Sequence, residues 1–235
     1  MNLPIYLDYA ATTQVDEKVA NKMFQFLTSK SLYANPSAMT YSNGVKAYEA
    51  ILQAQQSLAE LIHADDKEII WTSGATESIN LAIKGVAERY HRLGKHIITL
   101  QTEHKATLNT CRYLEKKGFE VTFLKPDPNG LLNIKSLIEA FRPDTILVSI
   151  LFVNNETGVI QEIEKIAQIC RERNVICHVD AAQALGKVPI NLKKTSIDLM
   201  SFSAHKCYGP KGIGALYISK QSKIKLEPQI HGGEQ

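Results

Sequence analysis

Apolar positions along this chain follow two alternating periods. Seven short runs, 68–73 (EIIWTS), 96–101 (HIITLQ), 120–124 (EVTFL), 144–153 (DTILVSILFV), 175–180 (VICHVD), 199–204 (LMSFSA) and 213–219 (IGALYIS), have the length and β-branched content of strands. Between most of them the spacing lengthens towards 3.6, which predicts helices near 14–29, 44–62, 76–92, 106–117, 134–141 and 161–173. In 44–62 the residues Val45, Tyr48, Ile51, Leu52, Leu58, Leu61 and Ile62 fall on one largely apolar face. Strands alternating with helices predict an α/β fold, a mostly parallel seven-stranded sheet with helices on both faces. No linker, repeat or low-complexity stretch divides the chain, so residues 1–235 read as one domain.

Parallel sheets of this kind bind ligands at the carboxyl ends of their strands. The residues that follow the runs are Gly74, Ala75 and Thr76, then His104, Asn155, Asp180 with Gln183, and His205 with Lys206. Each also has an ordinary reading. "SGATES" suits a helix cap as well as an anion site, because a glycine turn opening a helix exposes free N–H groups that either a side chain or a phosphate satisfies. His104 alone reads as a surface or core histidine, and Asn155 and Gln183 as loop residues. Asp180 ends an apolar strand on the face of His178, with Cys177 opposite; it needs a cation or donors, or it caps a helix beginning at 181.

Composition narrows the chemistry. With 44% hydrophobic residues the chain has enough for a substantial core, and Lys+Arg 27 against Asp+Glu 24 leaves a net charge of only +3. No basic tract implies nucleic acid, and no apolar run reaches membrane-spanning length. The start MNLPIYLDYA lacks the pattern of a secretory signal, so a cytoplasmic location is expected. Cys111, Cys170, Cys177 and Cys207 form no C-x-x-C pair and read as reduced thiols. A zinc site from Cys177, His178, His205 and Cys207 has no supporting spacing, and no metal is expected. The glycines 209, 212 and 214 precede a strand rather than opening a helix, so they are not a dinucleotide fingerprint; they read as a close backbone turn past a ligand.

Lys206 after one strand, Asp180 ending another and a glycine-led helix start describe a pyridoxal phosphate site. The lysine amine carries the cofactor, the carboxylate keeps its ring nitrogen protonated, and the helix start takes the phosphate. A lysine is nucleophilic only when neutral, and a desolvated crevice near other cations favours that form.

The stretches YLDYAATT, NPS, TSGATESINLAIKG, TEHKATLNTC, VNNETGVIQ, HVDAAQALGKVPI and SFSAHKCYGPKGIGALYI together resemble the cysteine desulfurases of the iron–sulfur cluster assembly group. These are class-V aminotransferase-like, fold-type I pyridoxal phosphate enzymes, and the similarity runs from Pro4 to Gln235. The resemblance implies phosphate contacts from Ala75, Thr76, Ser203 and His205, stacking and proton transfer by His104, and pairing of Asp180 with the ring nitrogen. It places Gln183 at the ring oxygen, Asn155 near that oxygen and the substrate, and Lys206 as the attachment point that also moves the α-proton. It implies conversion of L-cysteine to L-alanine, sulfur passed as a persulfide to acceptor and scaffold proteins, and a homodimer. Thr40 stands where many relatives carry histidine. "IHGGEQ" resembles the start of a motif leading into a smaller domain that carries the family's nucleophilic cysteine and a carboxylate-binding arginine. The resemblance therefore sets the expectation of a large domain without its small partner, impaired in turnover on its own. The alternatives are a non-catalytic fragment that keeps cofactor binding or a dimer surface, and another enzyme of the class-V group.

Overall fold

A computed structural model describes residues 4–27 and 32–232. The seven strands are β1 (Ile69–Thr72), β2 (His96–Leu100), β3 (Glu120–Leu124), β4 (Thr145–Leu151), β5 (Ile176–Asp180), β6 (Leu199–Ser203) and β7 (Gly214–Ile218). They form one sheet in the order β1-β7-β6-β5-β4-β2-β3. All neighbouring pairs are parallel except those of β7, which runs antiparallel to β1 and β6. Each strand falls within the run predicted for it. The exception in direction has a local cause: only residues 204–213 separate β6 from β7, fewer than a parallel crossover requires.

Among the described residues six α-helices complete the layers: α1 (Glu17–Phe24), α2 (Ser42–Leu61), α3 (Ala75–Tyr90), α4 (Lys105–Glu115), α5 (Ile134–Ala140) and α6 (Ile163–Glu172). The last two positions of the helix predicted over 14–29 lie outside the described residues. Neighbouring strand residues go to opposite faces, as the pleat requires. Ile98, Val148, Met200 and Tyr217 pack with Ile62, Leu137 and Ile166 on one side. Ile97, Leu147, Leu199 and Leu216 pack with Ile83, Val86 and Leu114 of α3 and α4 on the other. With helices on both faces, strand residues of either parity are buried, which is why the runs read as continuous rather than alternating.

The apolar face expected on α2 is partly covered. Ile62 at its C-cap is fully buried in the core with Ala59, and Leu58 packs against them, whereas Tyr48, Ile51 and Leu61 are 41%, 38% and 54% exposed.

Candidate active site

The carboxyl ends of β1, β2, β4, β5 and β6 open on one cleft of about 380 Å³, within the range of small-molecule sites. It is lined by Gly74, Ala75, Thr76, His104, Asn155, Asp180, Gln183, Ser203, His205 and Lys206. The structure thus brings together every site residue predicted from the sequence. Gly212 joins them because antiparallel β7 starts at this same edge. A wider groove of about 1060 Å³ lies between α6 and residues 189–197, lined by charges of both signs such as Glu164, Lys165 and Lys194.

Lys206 ends a single 3-10 turn, Ala204–Lys206, after β6. Burial holds its ammonium below the ordinary lysine range, Lys187 adds to this, and Asp180 opposes it. Asp180 is 2% exposed, and desolvation pushes its carboxyl up to about 6 against the pull of Lys206. One oxygen accepts from Ala182 N–H at 3.0 Å, so the local capping role exists; residues 181–187 nevertheless form turns and not a helix. Among the described residues no donor reaches the other oxygen. His178, two residues earlier and fully buried, bonds Ser149 Oγ and Ser201 Oγ at 2.8 Å each, joining three strands beneath the cleft.

His104 is the N-cap of α4, and its Nδ1 accepts the Ala106 N–H at 3.1 Å. That bond occupies the Nδ1 lone pair, so the neutral ring carries its proton on Nε2. Burial, then Lys206 and Lys105, lower the imidazole below its ordinary range. His104 is therefore held neutral, offering an N–H and a ring face. At α3 the N-cap Gly74 supplies no side-chain bond to the first turn, leaving N–H groups at the cleft. Gly74 has φ +154, a conformation side chains rarely adopt.

Of the glycines expected to turn past a ligand, Gly212 lines the cleft with open space where a Cβ would stand, whereas Gly209 and Gly214 meet protein closely. A Cβ on Gly214 would run into the Phe202 carbonyl oxygen and come within 2.6 Å of Gly74 Cα, and one on Gly209 within 2.7 Å of Ala204 Cβ. Gly214 lets β7 pack against the anion turn; Gly209 lets the chain fold back on the lysine turn. Cys207 follows Lys206 directly but lies outside the lining. Its thiol turns back to the carbonyls of Ala204 at 3.3 Å and Ser203 at 3.7 Å, and burial raises its pKa. Cys111, Cys170 and Cys177 are buried in the two cores.

Sequence reasoning gave no role to the segment that fastens this turn. Thr13 donates N–H and Oγ1–H to the His205 carbonyl at 2.8 and 3.0 Å, and its Oγ1 accepts from Tyr208 N–H at 2.8 Å. Thr12 Oγ1 meets His205 Nδ1 at 3.0 Å. Gln183 Nε2 donates to the Ala10 carbonyl at 2.6 Å, and its Oε1 accepts from Lys187 at 2.9 Å. The YAATT stretch was the available signal, but only through resemblance, since these contacts span more than 170 residues and leave no local pattern.

Comparison with known proteins gives one consistent direction. The aminotransferase class-V family model matches residues 5–235. Cysteine desulfurase IscS of Vesicomyosocius okutanii subsp. Calyptogena okutanii is 59% identical over 233 residues, covering 99% of this chain and 58% of that protein. The protein of the same name from Shewanella pealeana is also 59% identical over the same shares. Among solved structures, SspA in complex with cysteine has a TM-score of 0.93 at 45% identity, covering 98% of this chain and 65% of its own. A NifS-like protein has a TM-score of 0.94 at 40% identity, covering 99% and 63%. The chain thus spans 58% of the length of these curated relatives.

Proposed function

The chain belongs to the class-V aminotransferase family, and from that membership we propose that it is the cofactor-binding large domain of a pyridoxal phosphate-dependent cysteine desulfurase. The proposed reaction takes L-cysteine to L-alanine and passes the sulfur on as a persulfide. One observation carries the reading: a half-buried lysine, a buried aspartate and a helix start without a side-chain cap line a single cleft. Those features fit the group, since the cleft offers an amine, an anion opposite it and backbone donors for a phosphate.

When bound, pyridoxal phosphate supplies an electron sink for charge developing at the substrate α-carbon. The chain's own residues then have separable tasks. The lowered pKa of Lys206 favours the neutral amine, able to attach the cofactor and to move a proton at Nζ. Asp180 offers a carboxylate to hold the ring nitrogen's proton. Ala75, Thr76, Ser203 and His205, which line the cleft together, would hold the phosphate, with the α3 amides as donors. His104 would offer its face to the ring and an Nε2–H to the reacting groups, while Gln183 and Asn155 would serve the ring oxygen and the substrate.

The names of the similar proteins support cysteine as substrate, and the family resemblance points to iron–sulfur assembly proteins as sulfur acceptors. The exposed apolar side chains of α2 support a homodimer. Among the described residues no helix is long and apolar enough to cross a membrane, and we place the protein in the cytoplasm. The test is to give the full-length protein L-cysteine and a reductant. Alanine and sulfide should form in equal amounts over many turnovers, stop in Lys206→Ala, and persist in Cys207→Ala. Failure to form alanine from cysteine in a cofactor-loaded sample would remove this reading.

A further inference from the structure

Behind His104 lies a group that the proposed chemistry leaves unused. Glu103 is 6% exposed. Its Oε1 accepts the Leu151 N–H at 2.8 Å, whereas Oε2 has no partner among the described residues. In the first turn of α4, Thr107 Oγ1 is also buried with no partner among them.

The need for a side chain at Leu151 follows from the strand pairing. β4 runs to Leu151, but its register with β2 ends at Thr99 opposite Ser149. β2 itself stops at Leu100, and Gln101 turns its amide to Leu124 on the β3 side, at 2.9 Å. Phe152 donates to the Asp180 carbonyl at 2.9 Å on the β5 side. Successive strand amides point opposite ways, so the Leu151 N–H faces the space that β2 has left. A buried amide left unpaired there would be destabilising. Leu151 also lines the cleft and stands in register with Asp180.

We propose that Glu103 is a positioning residue for this cleft: its carboxyl replaces the next β2 carbonyl and ties the turn bearing His104 to the strand end beside Asp180. Two groups from distant parts of the chain are thereby held to one spacing. The acid state of Glu103 agrees with that role. Burial, then the Asp180 charge, push its carboxyl well above the ordinary range. A neutral Glu103 keeps its acceptor for Leu151 and adds no second buried anion beside Asp180. An amide of the same shape can do the same.

The experiment uses the full-length protein with ¹⁵N-labelled histidine, first without cofactor and then titrated with pyridoxal phosphate. The parent should show His104 as one tautomer, protonated at Nε2. Glu103→Gln should keep that signature, with cofactor affinity within about twofold of the parent. Glu103→Leu should mix the His104 tautomers and weaken cofactor binding about tenfold, the effect of one lost hydrogen bond. Leu137→Ala, fully buried in the core on the other sheet face, is the control for general loss of stability and should leave the His104 signals unchanged. The proposal is overturned if the glutamine variant fails like the leucine one, if the leucine variant matches the parent, or if Leu137→Ala moves the same signals. Because the His104 signals are read before cofactor is added, the positioning claim is decided separately from the pyridoxal phosphate reading on which its significance rests.

Discussion

Asp180 illustrates what a reactive residue costs its fold. Its carboxyl rises from the ordinary 3.8 to about 6 because it is buried, so the native state binds the proton more tightly than the unfolded chain. Stability therefore falls as pH rises from about 4 to about 6 and does not return above that. The shift, 6 − 3.8, corresponds to about 3 kcal/mol at neutral pH. Asp180→Asn keeps an acceptor for Ala182 N–H and has no charge to bury. In the absence of cofactor it should be more stable at pH 7, by about 1–3 kcal/mol, and its stability should lose this pH dependence. With cofactor it should still bind but lose exchange of the substrate α-proton. Denaturant melts from pH 4 to 8 and exchange in deuterated water check both halves; unchanged exchange would leave Asp180 with only its capping bond. Asp180 and Lys206 were legible because each follows an apolar run, where a charge needs a reason. Thr12 and Thr13 were not, since their partner His205 lies more than 190 residues away.

Among the elements, the strands were the most readable, because burial on both faces concentrates Ile, Val and Leu into short runs with polar ends. The direction of β7 was not read from its composition, although the short 204–213 connection contained it. Periodicity locates the apolar face of α2 without saying how much of it is covered: Ile62 is fully buried, while Tyr48, Ile51 and Leu61 lie outward. Packing between elements gives a sharper prediction at Gly214, where β7 passes within a Cβ's reach of the Gly74 turn. Gly214→Ala should destabilise the protein by about 1–3 kcal/mol, as overpacking does, and weaken retention of pyridoxal phosphate by displacing the start of α3. Thermal melts with a cofactor titration measure the two effects. A variant with parental stability and affinity would show that the contact is slack.

For the molecule as a whole, exposed apolar residues are the unspent feature of the fold. Tyr48 and Ile51 on α2 lie outward, as do Ile5 at 86% and Leu7 at 84% exposure. The homodimer proposal predicts that the full-length protein sediments as a dimer, and that Tyr48→Lys with Ile51→Glu shifts it to monomer without unfolding it. Sedimentation of the parent as a monomer at micromolar concentration would exclude that assembly. The central claim, that the cleft is a pyridoxal phosphate site built on Lys206, has a more direct test. Purified protein loaded with the cofactor is reduced with borohydride, digested and mapped by mass spectrometry. The account predicts a pyridoxyl group on Lys206 and on no other lysine in stoichiometric yield. An adduct concentrated on another lysine, or none in a folded and cofactor-saturated sample, would contradict it.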